Sequence, residues 1–193
     1  MTRLYALALI TLSGWGCATS TPSITLADFS GSLHSPLESP QGTVVTFVFG
    51  STTCPIANAM APELERMAAA ATEDGVVFYL VHPEPGLTDQ AAITHARAYG
   101  LTMDVLLDPH HDLVAEFDIT TTPEGVVILI DGDGYEMVYQ GQVNDLFPSL
   151  GKRRNHASRH WLQDAIDAAK AGTRVSPAYV LPIGCRIERV NGS

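Results

Sequence analysis

The stretch Val44-Val-Thr-Phe-Val-Phe-Gly-Ser-Thr-Thr-Cys54-Pro55-Ile-Ala57-Asn58 decides the fold of this chain. Val44 to Phe49 is a continuous apolar and β-branched run of the kind found in a strand buried on both faces. A Gly/Ser/Thr turn follows, and Cys54 then stands at the mouth of an Ala-rich segment, Pro55 to Ala71, that reads as a helix. A helix N-terminus carries about half a positive charge and unpaired N–H groups, so it favours a thiolate over a thiol. The thiolate is the form a redox or metal-binding cysteine uses. Free cysteine also packs as a small hydrophobe. The polar run Ser51-Thr52-Thr53 argues against deep burial here.

Outward from that junction, Met60, Leu64 and Met67 make one apolar stripe on the helix, which Gly75 ends. Val76 to Val81 reads as a second buried strand. Thr88 caps a helix through Ala91, Ile93 and Ala96 to Tyr99, closed by Gly100. A short strand, Val105 to Leu107, precedes Asp108-Pro109, which opens a brief helix with Pro at its first position. Val126 to Ile130 and Glu136 to Gln140 flank Asp131-Gly-Asp-Gly134 as a hairpin. That acidic turn lacks the remaining ligands and closing Glu of a calcium loop. The final helix spans about Ser158 to Ala171, and Thr19 to Gln41 reads as a linker with one short strand at Ile24 to Phe29. The order predicts an α/β fold: a central mixed β-sheet flanked by helices, parallel at its core with an antiparallel hairpin at one edge.

The length of 193 residues suits one domain plus a leader. A composition of 46% hydrophobic and 17% charged residues is that of a globular protein, and the net charge of −10 excludes a nucleic-acid partner, which needs a basic surface. The local exception, Lys152-Arg153-Arg154 with His156, Arg159 and His160, reads as a solvated loop and helix start. Arg3 followed by the apolar run Leu4 to Leu12 is an export signal, too short for a mature membrane helix. Gly16-Cys17 resembles the end of a bacterial lipoprotein signal, although Gly14 and Trp15 depart from its pattern. That resemblance implies lipidation of Cys17, a membrane tether and a periplasmic or cell-envelope location. A lipidated Cys17 leaves Cys54 and Cys185 as the only pair of thiols, in a compartment that permits a disulfide. The expected organisation is therefore signal peptide 1–17, linker and first strand 18–41, domain 42–172, and a tail, 173–193, carrying Cys185.

This order of elements, with Cys54 at the first strand-to-helix junction and Thr122-Pro123 before the hairpin, resembles the thioredoxin-like superfamily over about residues 22 to 172. It looks nearest to redoxin-type members, the peroxiredoxins (alkyl hydroperoxide reductase/thiol-specific antioxidant type) and exported thiol–disulfide proteins. The resemblance implies a cis Thr122–Pro123 bond beside Cys54, no cofactor, and substrate contacts at Ser51, Thr53, Thr122 and Pro123. It implies catalysis by Cys54 on a disulfide-bearing protein or a peroxide, with an external thiol as electron donor. Two departures stand out. Thioredoxins place a second cysteine where this chain has Ala57, and peroxiredoxins place Pro and Thr where it has Phe47 and Ser51. Cys185, in Pro182-Ile-Gly-Cys185-Arg-Ile, sits at the sequence distance from which some peroxiredoxins resolve their oxidised cysteine.

Two alternatives stand beside that reading. The copper chaperones of cytochrome oxidase share the fold, and Cys54 with Cys185 would give Cu(I) a soft pair, completed by His82, His110 or His111. Adjacent His110 and His111 cannot both point one way on a helix. The other is a catalytically silent thioredoxin-fold protein that binds a partner, which Ala57 in place of the second cysteine leaves open.

Overall fold

The computed structural model describes residues 22–132 and 134–189. The decisive stretch forms strand β3 (Val44–Phe49) and helix α1 (Pro55–Glu73), preceded by two short strands, β1 (Leu26–Ala27) and β2 (Leu33–His34). Strand β4 (Val77–His82), helix α2 (Asp89–Tyr99) and strand β5 (Asp104–Leu107) follow, then helix α3 (Asp112–Glu116) and strand β6 (Thr121–Thr122). The hairpin is β7 (Glu124–Asp131) and β8 (Gly134–Gly141), longer at both ends than predicted, with Asp133 outside the described residues. Helix α4 (Trp161–Lys170) and two short strands, β9 (Tyr179–Val180) and β10 (Cys185–Arg186), are the last elements among the described residues.

The main sheet has the order β5-β4-β3-β7-β8-β9. Strand β3 runs parallel to β4 and antiparallel to β7, and β4 runs parallel to β5. Because side chains alternate along a strand, β3 feeds both faces. Val44 and Val48 pack with Met60, Leu64 and Met67 of α1 and with Leu162 and Ile166 of α4. Val45, Phe47 and Phe49 pack on the opposite face with Leu113 of α3, Phe117 and Ile128. Each fully buried side chain of this size is worth roughly 1.5–3 kcal/mol of transfer free energy. The methionine stripe is therefore core.

Local chemistry sets the boundaries. Thr88 accepts the Ala91 N–H at 3.2 Å, and Gly100 closes α2 in the left-handed conformation. The helix predicted to open at Asp108-Pro109 starts three residues later, at Asp112. The buried Asp108 carboxylate explains the offset. It accepts the N–H groups of Asp112 at 2.7 Å and Val114 at 3.0 Å, capping the helix from a distance while His111 turns through φ 63°. The first predicted strand shrinks to Leu26–Ala27, and the last helix begins at Trp161 rather than Ser158. The segment before it is organised by Asp145, whose carboxylate takes the Ser158 N–H and hydroxyl, both at 2.6 Å. Arg154, from the basic run, pairs with the same carboxylate.

Two strands fall in the tail, where none was predicted. Strand β9 joins the edge of the main sheet alongside β8. Strand β10 pairs antiparallel with β6, setting Cys185 opposite Thr122 and Arg186 opposite Thr121.

Candidate active site

Cys54 is the N-cap of α1, with Pro55 at the first helical position. Its own N–H bonds to Ser51 O at 3.2 Å, closing the tight turn that the Ser/Thr run supplies. The expectation that this polar run keeps Cys54 near the surface is not met: Cys54 is 1% exposed. The cover comes from the far end of the chain. Strand β10 lies across the strand-to-helix junction, and Ile187 N donates to Thr120 O at 3.0 Å to hold it there.

The Thr122–Pro123 bond is cis, as the resemblance implied. The protonated Cys54 thiol donates to Thr122 O at 3.2 Å. Gly184 passes so close to this segment that a Cβ there would overlap Thr122 O, so glycine is the residue that lets the tail lie flat. Cys54 and Cys185 line one cleft of about 310 Å³, together with Ser51, Thr53, Thr122 and Glu84. Pro123 does not line it; its ring packs beneath Gly184.

The two thiols face each other across this cleft's lining and titrate in opposite directions. Burial acts to raise the Cys54 pKa, but hydrogen bonds from the Cys185 thiol, the Ala57 N–H, the Thr122 side chain and the Ile56 N–H outweigh it. The net shift is downward. Burial pushes Cys185 up to about 11, helped by its role as proton donor to Cys54 and by the charge that Cys54 carries once ionised. Of the two, Cys54 is therefore the thiol that ionises first. Neither cysteine is in a disulfide.

The histidines lie elsewhere. His110 is exposed, and His111 Nε2 bonds to Pro83 O at 2.9 Å; neither lines the cleft. His82 is buried behind it, with Nδ1 donating to Gly50 O at 3.3 Å. Among the described residues no group of three or more His, Cys, Asp or Glu side chains is placed to hold a metal ion. The alternative donor set Cys54, Cys185, His110 and His111 is therefore not assembled: His111 turns to Pro83 O in the β4–α2 connection, and His110 is exposed outside the cleft. Phe47, at the peroxiredoxin Pro position, is a core residue stacked on Tyr79 with ring centroids 5.8 Å apart.

Sequence reasoning missed Glu84. Its carboxylate lines the cleft and accepts both the N–H and, at 2.8 Å, the hydroxyl of Thr52. The available signal was its place just beyond β4, at the carboxyl end of a parallel strand, where α/β folds collect their sites. Three buried atoms around it, Glu84 Oε2, His82 Nε2 and His95 Nδ1, have no hydrogen-bond partner. Each such atom costs roughly 1–3 kcal/mol.

A buried N-cap thiol, a cis proline beside it and a mixed sheet with helices on both faces define a thioredoxin-fold redox protein. The AhpC/TSA family model matches residues 18–135, and the chain belongs to that family of thioredoxin-like redoxins. Cys185 lies beyond the matched segment. No curated protein matches the chain. Among solved structures, a hypothetical protein of Sinorhizobium meliloti 1021 is similar at 23% identity, covering 90% of this chain and 94% of its own, with a TM-score of 0.76. An uncharacterized conserved protein of Geobacillus kaustophilus is similar at 19% identity, covering 94% and 96%, with a TM-score of 0.75. A secreted Mycobacterium tuberculosis disulfide oxidoreductase shares the fold at 22% identity over 78% of this chain and 96% of its own, with a TM-score of 0.53.

Proposed function

We propose that the chain is a thiol–disulfide oxidoreductase in which Cys54 attacks and Cys185 of the same chain resolves. One observation carries this reading: the two thiols line one cleft, Cys54 shifted toward thiolate and Cys185 toward thiol. Ala57 leaves no local partner for Cys54, and the tail supplies one through β10.

The Cys54 thiolate attacks a substrate disulfide, forming a mixed disulfide and expelling one substrate thiolate. That leaving thiolate takes the proton that Cys185 gives up as it attacks the Cys54 sulfur. A Cys54–Cys185 disulfide forms and the second substrate thiolate departs. The substrate has gained two electrons and the protein has lost them; an external thiol restores the dithiol. Ser51, Thr53 and Thr122 line the approach to Cys54. With a hydroperoxide as oxidant, Cys54 would pass through a sulfenic acid to the same disulfide. Phe47 in the core, at the position of the peroxiredoxin proline, favours disulfide exchange.

The test is mass mapping of the mature protein before and after a disulfide oxidant. The reading requires a Cys54–Cys185 linked peptide and loss of a pair of hydrogens. Oxidation confined to Cys54, with Cys185 still alkylatable, would overturn it. The same reading places the protein in the cell envelope, supported by Arg3, Leu4 to Leu12 and Cys17, all outside the described residues. Intact mass of the membrane-fraction protein should show loss of the leader and an added acyl mass. An unprocessed cytoplasmic chain would contradict the location.

A further inference from the structure

Behind the Cys54 turn lies a closed ring of polar side chains drawn from separate parts of the fold. Glu84, in the β4–α2 loop, takes the Thr52 N–H and hydroxyl. His82, at the end of β4, sets Nδ1 3.7 Å from Glu84 Oε2 and 3.3 Å from Gly50 O. The His82 ring meets His95 of α2 edge-on, with centroids 5.2 Å apart. His95 Nε2 donates to Asn58 Oδ1 at 2.8 Å, and Asn58 Nδ2, from α1, donates to Thr52 O at 3.0 Å. Both backbone groups of Thr52 are thus clamped from opposite sides, two residues before the thiol.

Stability alone does not account for this ring. Its hydrogen bonds fix the proton of each neutral imidazole on His82 Nδ1, facing Gly50 O, and on His95 Nε2, facing Asn58 Oδ1, so His82 Nε2, His95 Nδ1 and Glu84 Oε2 all present lone pairs with no donor. Buried groups left unpaired cost free energy and call for an explanation. Burial, more than any neighbouring charge, keeps both imidazoles below the ordinary histidine range and hence neutral. The titratable groups facing the ring are His82 from β4, His95 and Tyr99 from α2, the Tyr99 ring centroid 4.7 Å from that of His95, and Glu84 from the loop; α1 and the β3–α1 turn contribute Asn58, Thr52 and Gly50.

We propose that Glu84 is a positioning residue for Cys54: by clamping Thr52 within this ring it fixes the Ser51–Thr53 turn and so holds the Cys54 sulfur at the N-terminus of α1. The inference rests on Cys54 being the attacking thiol. Its distinctive content is that the clamp, rather than the charge of Glu84, carries the effect.

The experiment is the rate of Cys54 alkylation by iodoacetamide against pH, in a Cys185→Ala background so that one described thiol reports. Glu84→Ala should move the midpoint upward and slow alkylation near neutral pH by about tenfold, the change that one pKa unit produces. Glu84→Gln, which keeps an oxygen for Thr52, should keep the parent profile. A Glu84→Ala profile that matches the parent overturns the proposal. So does a Glu84→Gln shift as large as that of Glu84→Ala, because charge would then be the cause. Where Glu84→Ala does not fold, Asn58→Ala opens the ring from the other side and is read by the same criterion. A parent Cys54 that resists alkylation at every pH defeats the nucleophile reading itself and this proposal with it. Normal Cys54 reactivity without a Glu84 effect defeats only the positioning role.

Discussion

A thiol buried to 1% exposure would ordinarily resist ionisation, yet Cys54 is shifted toward thiolate. Burial opposes the charge; donation by Cys185, the helix N–H groups and Thr122 overcomes it. The midpoint of Cys54 alkylation in the wild type is expected below the reference of about 8.5. Cys185→Ala, which removes the first of these influences, is expected to raise it; an unchanged or lower midpoint would show that Cys185 does not favour the Cys54 thiolate. Glu124 is the opposite case. Burial raises its pKa although Gln140 and the Thr120 and Thr121 N–H groups bond to it. A carboxyl raised in the folded state contributes stability below its unfolded pKa of about 4.3 and loses it as pH rises through the folded value. Urea unfolding should therefore show the stability difference moving in favour of Glu124→Gln as pH rises through that window. A difference independent of pH would show that Glu124 does not titrate between the two states.

Among the elements, the strands and helices with a clear period were legible in the sequence. Strand β3 lies where its apolar run placed it, and α2 begins at Thr88's cap and ends at Gly100 because both ends carry their own chemistry. Strands β9 and β10 were not legible. Two residues carry no period, and each exists only because another strand's edge is free to pair with it. The burial of Cys54 was misread for the same reason: the Thr-rich run speaks of exposure, while the cover arrives from the distant tail. Gly184 is the local trace of that contact. Gly184→Ala places a methyl against Thr122 O and should lift β10 from β6. Disulfide formation between Cys54 and Cys185 should slow while the fold is retained. Oxidation at the wild-type rate would show that the tail does not need this close approach.

At the level of the whole molecule, one sheet separates two apolar layers, and the site sits at the end of the sheet where β3 and β4 give way to loops. Stability and chemistry are therefore separable. Leu162, at 0% exposure on α4, fills the space that Gly125 leaves open on β7. Leu162→Ala should cost about 2–5 kcal/mol in denaturant unfolding and leave the Cys54 alkylation midpoint in place. A shifted midpoint would mean that the core and the site are coupled. Fold class and the place of Cys54 at the first strand-to-helix junction were readable because strand, turn, cysteine and helix are contiguous. The Cys185 contact, the Glu84 clamp and the scattered histidines were not, because only tertiary packing brings them together or keeps them apart. The most direct test of the two-cysteine account is to react the wild type and Cys185→Ser with a disulfide substrate and quantify the species on non-reducing gels. Cys185→Ser is expected to accumulate a mixed disulfide at Cys54 that the wild type clears as its own disulfide forms. Equal turnover by both proteins, with no trapped adduct, would contradict the account.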